Sequence, residues 1–229
     1  MNETEGPPRS LVVTLATLTV IGGFLDAVSY LGLGHVFTAN MTGNVVLVGF
    51  AAAGAPGFSV QANLCALGCF VIGAAAGGRI DRLVGSHRTT LVVEMTIEGF
   101  LISVGAVISA CVSGIGAGWA RYAIIAVLSF AMGMRNVSVR RMGVDGMTTT
   151  VLTTTLTGLI SDSALAGGTS PNTARRATSV FCMFAWALVG AALLLHVSAP
   201  WALGVAALLA FGAAGYFGRQ EPLRLRAAH

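Results

Sequence analysis

Lysine is absent from this sequence, and charge of either sign is scarce: 13 arginines and 9 acidic residues leave only 10% of 229 positions charged. A soluble domain carries about 25% charged residues, so that class is excluded. Cysteine is sparse too. Cys65, Cys69, Cys111 and Cys182 each sit inside an apolar run. Cys65 and Cys69 share a helix face at i, i+4, yet no His or carboxylate stands at ligand spacing beside them. They read as small packing residues, with no disulfide framework and no metal site. There is no HExxH, no GxSxG and no clustered aspartate motif of a phosphatidyl transferase, and the hydroxyl nucleophiles are scattered. The expectation is a protein that is not an enzyme and needs no cofactor. A pI near 9.2 is compatible with nucleic acid, but the arginines collect in a few loops, as membrane topology demands, so no nucleic-acid partner is expected.

What the sequence has in abundance is apolar length. Hydrophobic residues make up 55% of it and the mean hydropathy is +0.81. Six runs approach the roughly 20 residues that a bilayer-spanning helix needs: 10–33, 59–78, 89–112, 120–141, 177–197 and 199–217. The start, MNETEGPPRS, is polar and acidic rather than a basic leader, so the first run is expected to remain as a helix. The lipid bilayer is therefore the first partner.

Two further runs are awkward. MTGNVVLVGFAAAGA (41–55) has 15 residues, and MTTTVLTTTLTGLISDSALAG (147–167) carries a threonine crowd and Asp162. If both dip in and return on one side, then Arg9, the loop with Arg79, Arg82 and Arg88, Arg140/Arg141, Arg175/Arg176 and the Arg219/Arg224/Arg226 tail all fall inside. The outer connections 34–40, 55–58, 113–119 and 198–200 then carry no arginine. The positive-inside rule thus favours six spans and two re-entrant or broken segments over eight spans, with both termini cytoplasmic.

The awkward segments look like copies. ANMTGNVV (39–46) aligns with TTLTGLIS (154–161) on Thr42-Gly43 and Thr157-Gly158; upstream, GFLDAVSYLGLG (23–34) aligns with GMRNVSVRRMGV (133–144), placing Asp26 opposite Asn136. Each half holds three crossings, an odd number, so the second copy must be inverted. The fold class predicted is an all-α polytopic membrane protein with a 3+3 inverted repeat. A cytoplasmic tail (1–9) precedes one membrane domain (10–217, repeats about 10–112 and 120–217), and a second tail follows (218–229). Such repeats place a solute site near the midplane, where the broken segments meet.

The same blocks carry a family resemblance. GFLDAVSYLGLGHVFTANMTGN, followed by GMRNVSVRRMG and TTTVLTTTLTGLISD, resembles the YoaK-like family of bacterial multi-pass membrane proteins across most of 20–165. The resemblance implies a six-spanning inner-membrane domain and brings neither a substrate nor a catalytic residue. GGRIDRLVGSHR (77–88) is more distantly similar to a cytoplasmic loop of major facilitator transporters. That likeness makes Asp81 and Arg82 gating candidates, although an extra residue separates them from Gly85.

Polar residues at membrane depth are candidates for function. Asp26, Ser29 and Tyr30 share a helix face. Asn40, Thr42, Gly43, Asn44, Asn136, Thr155, Thr157 and Gly158 complete the solute-binding candidates. Glu94 and Glu98, at i, i+4, either are neutralised by arginine or hold a proton or cation; Arg135 serves an anionic solute or, in preference, pairs with Glu98 or Asp26. With Asp26 these form the coupling set. The leading expectation is a transporter or channel for a small polar solute, and six spans around a path fit a homodimer. Two rival classes stay open: an intramembrane lipid- or peptide-modifying enzyme, and an assembly factor whose inward polar groups are all paired off.

Overall fold

The computed structural model describes residues 9–142 apart from 113 and 117, residues 152–163, residue 167 and residues 173–220. These form eight helices and no strand: α1 (Arg9–Gly32), α2 (Met41–Ala52), α3 (Val60–Val84), α4 (His87–Ala110), α5 (Gly118–Arg141), α6 (Leu152–Ser161), α7 (Thr173–His196) and α8 (Ala199–Arg219). Within the described residues six of them, all but α2 and α6, are long and apolar enough to cross a membrane, and they imply a bilayer around the chain. The tails 1–8 and 221–229, Asp145 and the 147–151 start of the second awkward segment lie outside the described residues.

Capping chemistry sets several helix starts. Asn40 accepts from the Gly43 amide at the head of α2, Ser59 from Ala62 at α3 and Ser86 from Thr89 at α4, each satisfying an amide that the first turn leaves unpaired. Pro200 stands in the first turn of α8, where its missing N–H costs nothing. The predicted arginine loop 79–88 is mostly helix. Long arginines at a helix end carry their charge to the interface without breaking the backbone ladder, so α3 runs on to Val84 and turns within two residues. Gly85, at φ +67°, closes it in the left-handed conformation that glycine takes at no steric cost.

Helix α1 packs against α7 and α8, α5 against α3 and α4, and α4 against α8. Helices α1, α8, α4 and α5 therefore form an inner ring, with α7 outside α1 and α3 outside α5. The short α2 lies on α3 and the short α6 on α7. Glycine permits the closest approaches. A Cβ on Gly23 would stand 2.8 Å from the Met183 carbonyl oxygen, one on Gly190 2.8 Å from that of Phe24, and one on Gly77 2.6 Å from that of Met134. Gly73 and Gly133 lie closer still to the carbonyls of Phe130 and Phe70. Small residues that let backbones touch are the usual means of packing helices in lipid, where apolar burial gives no preference for protein over solvent.

The ends of the helices are tied by arginine. At the start of α5, Arg121 donates from Nε to the Leu33 carbonyl (2.8 Å) and from Nη2 to that of Gly34 (3.2 Å), just beyond α1. At the other end, Arg141 pairs with Asp81 of α3, and Arg88 donates to the carbonyls of Phe217 (2.9 Å), Gly218 and Gln220, closing α8. Helices α1 and α5 thus run in opposite directions. Arg121 lies inside the predicted span 120–141 and so escaped the sorting of loop arginines. It stands at the end opposite the other described, structurally tied arginines of α3, α4 and α5, because its task is to cap carbonyls.

Candidate functional site

The polar cluster of the first awkward segment folds back on itself. Asp26, buried on α1, accepts from the Thr38 amide (3.0 Å) and the Ala39 amide (2.8 Å) through Oδ1. Asn44, fully buried on α2, clasps the Phe37 backbone from both sides, with Oδ1 accepting from its N–H (2.9 Å) and Nδ2 donating to its carbonyl (2.7 Å). Thr38 stands 3.5 Å from the Ser29 hydroxyl. These bonds satisfy a non-helical backbone that lies beside a helix interior, as a low-dielectric setting requires.

Beside this clasp is a groove of about 240 Å³ between α1, the 37–40 segment and α7. Asp26, Tyr30 and Asn40 give it polarity; Phe37, Met183 and Ala187 give it apolar walls. Tyr30 stacks on Phe37 at a ring separation of 4.7 Å. Three predicted solute-binding residues thus share one cavity. Asn40 also caps α2 and Asn44 holds the segment, so part of the predicted set has a structural task. Thr42 is exposed.

The second segment is arranged otherwise. Thr155 is buried, Thr157 is exposed and Gly158 is half-buried on α6. Arg176 of α7 donates to the Gly158 carbonyl and to Asp162. That hydrogen bond, with a second from Ser161, holds the Asp162 carboxyl below its ordinary value of 3.8. Helices α2 and α6 do not pack on each other among the described residues, so the Thr42-Gly43 and Thr157-Gly158 pairs do not meet. They also differ in position: Gly43 is in the first turn of α2, Gly158 in the second half of α6. Asn136 is half-buried on α5.

At the meeting of α1, α4 and α5 lies the second part of the site. Arg135 pairs with Glu98 Oε1 at 2.7 Å, both side chains being almost wholly buried. Its guanidinium also faces Gly22, where a Cβ would stand 3.5 Å from Nη2. Glu94, one turn from Glu98 on the same face, is fully buried. Both of its oxygens, Glu98 Oε2 and the Ser138 hydroxyl have no hydrogen-bond partner. Ser138 lies three residues beyond Arg135 on the same face of α5, and that spacing was the signal by which it was findable. Asp81 is not in a loop but buried on α3, where Arg141 and His87 (2.9 Å) hold it; Arg82 is exposed. His87, too, was invisible until the turn at Gly85 brought it back.

The family model described as "Protein of unknown function (DUF1275)" matches residues 14–216. The chain belongs to this family. It is also 35% identical over 164 residues to the UPF0700 transmembrane protein YoaK of Bacillus subtilis (strain 168), covering 69% of each chain. No solved structure matches it. The family match reaches into all six apolar helices and covers the Asp26 groove and the buried Arg135–Glu98 pair.

Proposed function

We propose that this family member is a transporter for a small polar solute, without enzymatic activity, built as a 3+3 inverted repeat with the solute held in the Asp26 groove. The carrying observation is the groove itself: a cavity with a carboxylate, a phenol and an amide at membrane depth, walled by apolar side chains. Sites of this make-up bind small molecules, and polar groups inside a bilayer are expensive enough to need a use.

Helix pairing supports the repeat. Exchanging α1–α4 with α5–α8 turns α1·α7 into α5·α3, α4·α5 into α8·α1 and α2·α3 into α6·α7, and all of these pairs are present. The close glycines keep the same register. An offset of 110 carries Gly23 to Gly133 and Phe24 to Met134; an offset of 113 carries Phe70 to Met183 and Gly77 to Gly190. Since α1 and α5 are antiparallel, the copies are inverted. Thr38 and Ala39 are held at Asp26, about 9 Å short of the α1 end by helical rise, whereas Phe50 near the end of α2 meets Phe58 (5.8 Å), and His35 bonds Gly57. A chain that goes in as irregular turns and comes out as 12 helical residues fits a re-entrant segment. The reading centres the site on Asp26 instead of on a junction of the Thr-Gly pairs. The arginine ties at the ends of α3, α4, α5 and α8 favour that end as cytoplasmic in a bacterial inner membrane.

The test is reconstitution. Small polar solutes are screened for those that raise the unfolding temperature of the wild type but not of Asp26→Asn, and hits are assayed for uptake into proteoliposomes. Uptake through wild type that Asp26→Asn and Tyr30→Ala reduce about tenfold or more, the cost of one lost charged hydrogen bond, supports the groove. Equal uptake through all three defeats it. Glu94, which has no arginine partner among the described residues, speaks against the rival assembly factor, whose inward polar groups are all satisfied.

A further inference from the structure

Among the described residues Glu94 has no ion-pair partner. Its side chain is fully buried, and the Ser138 hydroxyl beside it closes no hydrogen bond of regular geometry. An ionised carboxylate left so is among the costliest arrangements in a protein interior. The surrounding charges can be counted. On its own helix Glu98 faces the same way and is already paired with Arg135 of α5. One guanidinium balances one carboxylate, so the second negative charge is without a counter-charge. On α3, Asp81 is occupied by Arg141 and His87. Helix α8 offers no titratable side chain between Ala199 and Gly215. Arg88, at the base of α4, is engaged with the α8 carbonyls. What lies against Glu94 is Gly77, where a Cβ would stand 2.8 Å from Oε1, and the hydroxyl of Ser138.

We propose that Glu94 is an exchangeable proton-binding site, linked to the Asp26 groove through the Glu98–Arg135 pair. The proton is the counter-charge that fits: it needs no ligand shell, and the carboxylate is packed directly on Gly77. In the protonated form the carboxyl O–H donates to Ser138 Oγ or Glu98 Oε2, satisfying two unpartnered atoms with one bond. In the ionised form Glu94 competes with Glu98 for Arg135. The guanidinium faces Gly22 on α1, one turn from Asp26, so a change of partner at Arg135 is felt at the groove. The link to solute movement rests on the transport reading; the proton site does not.

The test is labelling of purified protein with dicyclohexylcarbodiimide, which modifies protonated carboxyls in apolar surroundings, mapped by peptide mass spectrometry from acid to alkaline pH, with and without sodium. The expected result is a label on Glu94 that falls about tenfold per pH unit above its titration point, indifferent to sodium. Glu94→Gln removes it and Glu94→Asp keeps it. Glu98→Gln, which releases Arg135 to Glu94, lowers it at fixed pH about tenfold or more, the equivalent of about 1.4 kcal/mol. No label at any pH in protein that elutes as folded, a label on Glu98 instead, or protection by sodium overturns the proton assignment. Unchanged labelling in Glu98→Gln overturns the link through Arg135. Wild type that labels at Glu94 yet carries no solute overturns the transport reading alone.

Discussion

Adding one methyl group to each close glycine in turn yields a graded series. A carbon set against a carbonyl oxygen needs about 3.3 Å. Alanine at Gly23 or Gly190 finds 2.8 Å, a shortfall of roughly 0.5 Å. At Gly77 it finds 2.6 Å, and at Gly73 and Gly133 the shortfall is larger still. The obstructing atoms are backbone, which yields only if whole helices part. Overpacking costs typically 1–3 kcal/mol and occasionally more, while replacing a helical glycine by alanine returns about 1 kcal/mol. Gly23→Ala and Gly190→Ala are therefore expected to cost about 0–2 kcal/mol net, and Gly73→Ala and Gly133→Ala about 2–4 kcal/mol. Gly204, Gly212 and Gly215 have open space where the Cβ would go, so alanine there is neutral or stabilising by up to about 1 kcal/mol. At about 2–4 °C per kcal/mol for a chain of this size, Gly133→Ala lowers the unfolding temperature in detergent by roughly 4–16 °C. A Gly133→Ala protein that melts with Gly212→Ala would show that α3 and α5 do not touch as described.

Other outcomes follow from the charged ties. Arg135→Met strands Glu98 as a buried unpaired charge and is expected to cost about 3–5 kcal/mol, whereas the double change Arg135→Met with Glu98→Leu recovers most of it; equal melting of wild type and Arg135→Met would refute the pair. Arg121→Met frees the Leu33 and Gly34 carbonyls, and amide exchange in the 33–40 segment should then rise while α4 and α8 stay protected; an unchanged exchange pattern refutes the cap. The Asp162 carboxyl is held below its ordinary value by Arg176, so its tie to α7 is in force at neutral pH and is lost only as pH falls through that lowered value. A nitroxide on Ser163→Cys should report the same mobility in acid wild type as in Asp162→Asn at neutral pH; a mobility already high in neutral wild type sinks it. Cys111 is exposed at the end of α4, opposite the arginine-rich end. An impermeant maleimide should reach it from outside the cell and reach Leu83→Cys, in a cysteine-free background, only from inside; the reverse pattern inverts the topology.

Spans were legible because a bilayer demands a length and a composition, and both are local properties of a run of residues. Helix α5, read from 120–141, begins at Gly118 and ends at Arg141. The pairing of Arg135 with a neighbouring carboxylate and the brevity of the first awkward segment were equally open to sequence reasoning. Partner choice was not. Nothing in hydropathy says that α1 lies on α7 and not on α3, since every apolar face looks alike to lipid. The alignment of Gly23 with Gly133 did put together two glycines that each meet a carbonyl of another helix. The alignment of the Thr-Gly pairs did not correspond to like positions, because a two-residue match fixes no helical phase. Asn44 and Asn40 suggested solute contact because a polar side chain in an oily run advertises only that it has a partner; that the partner is backbone depends on a turn no spacing rule foretells.

The pairing of α1 with α7 and of α3 with α5 has a consequence for biogenesis. Each half lends its first helix to the other half's second long helix, so neither half can finish its own packing. A ribosome making about 5–20 residues per second reaches Met183 some 160 residues after Gly23, a delay on the order of 8–30 s. Throughout that interval α1 stands in the bilayer with its glycine face uncovered, and in the first half only α2, α3 and α4 have neighbours to pack on. Quality control in the cell would meet this protein as a half-assembled intermediate, and a stall or truncation before α7 would leave the glycine face of α1 without its partner for proteases to recognise.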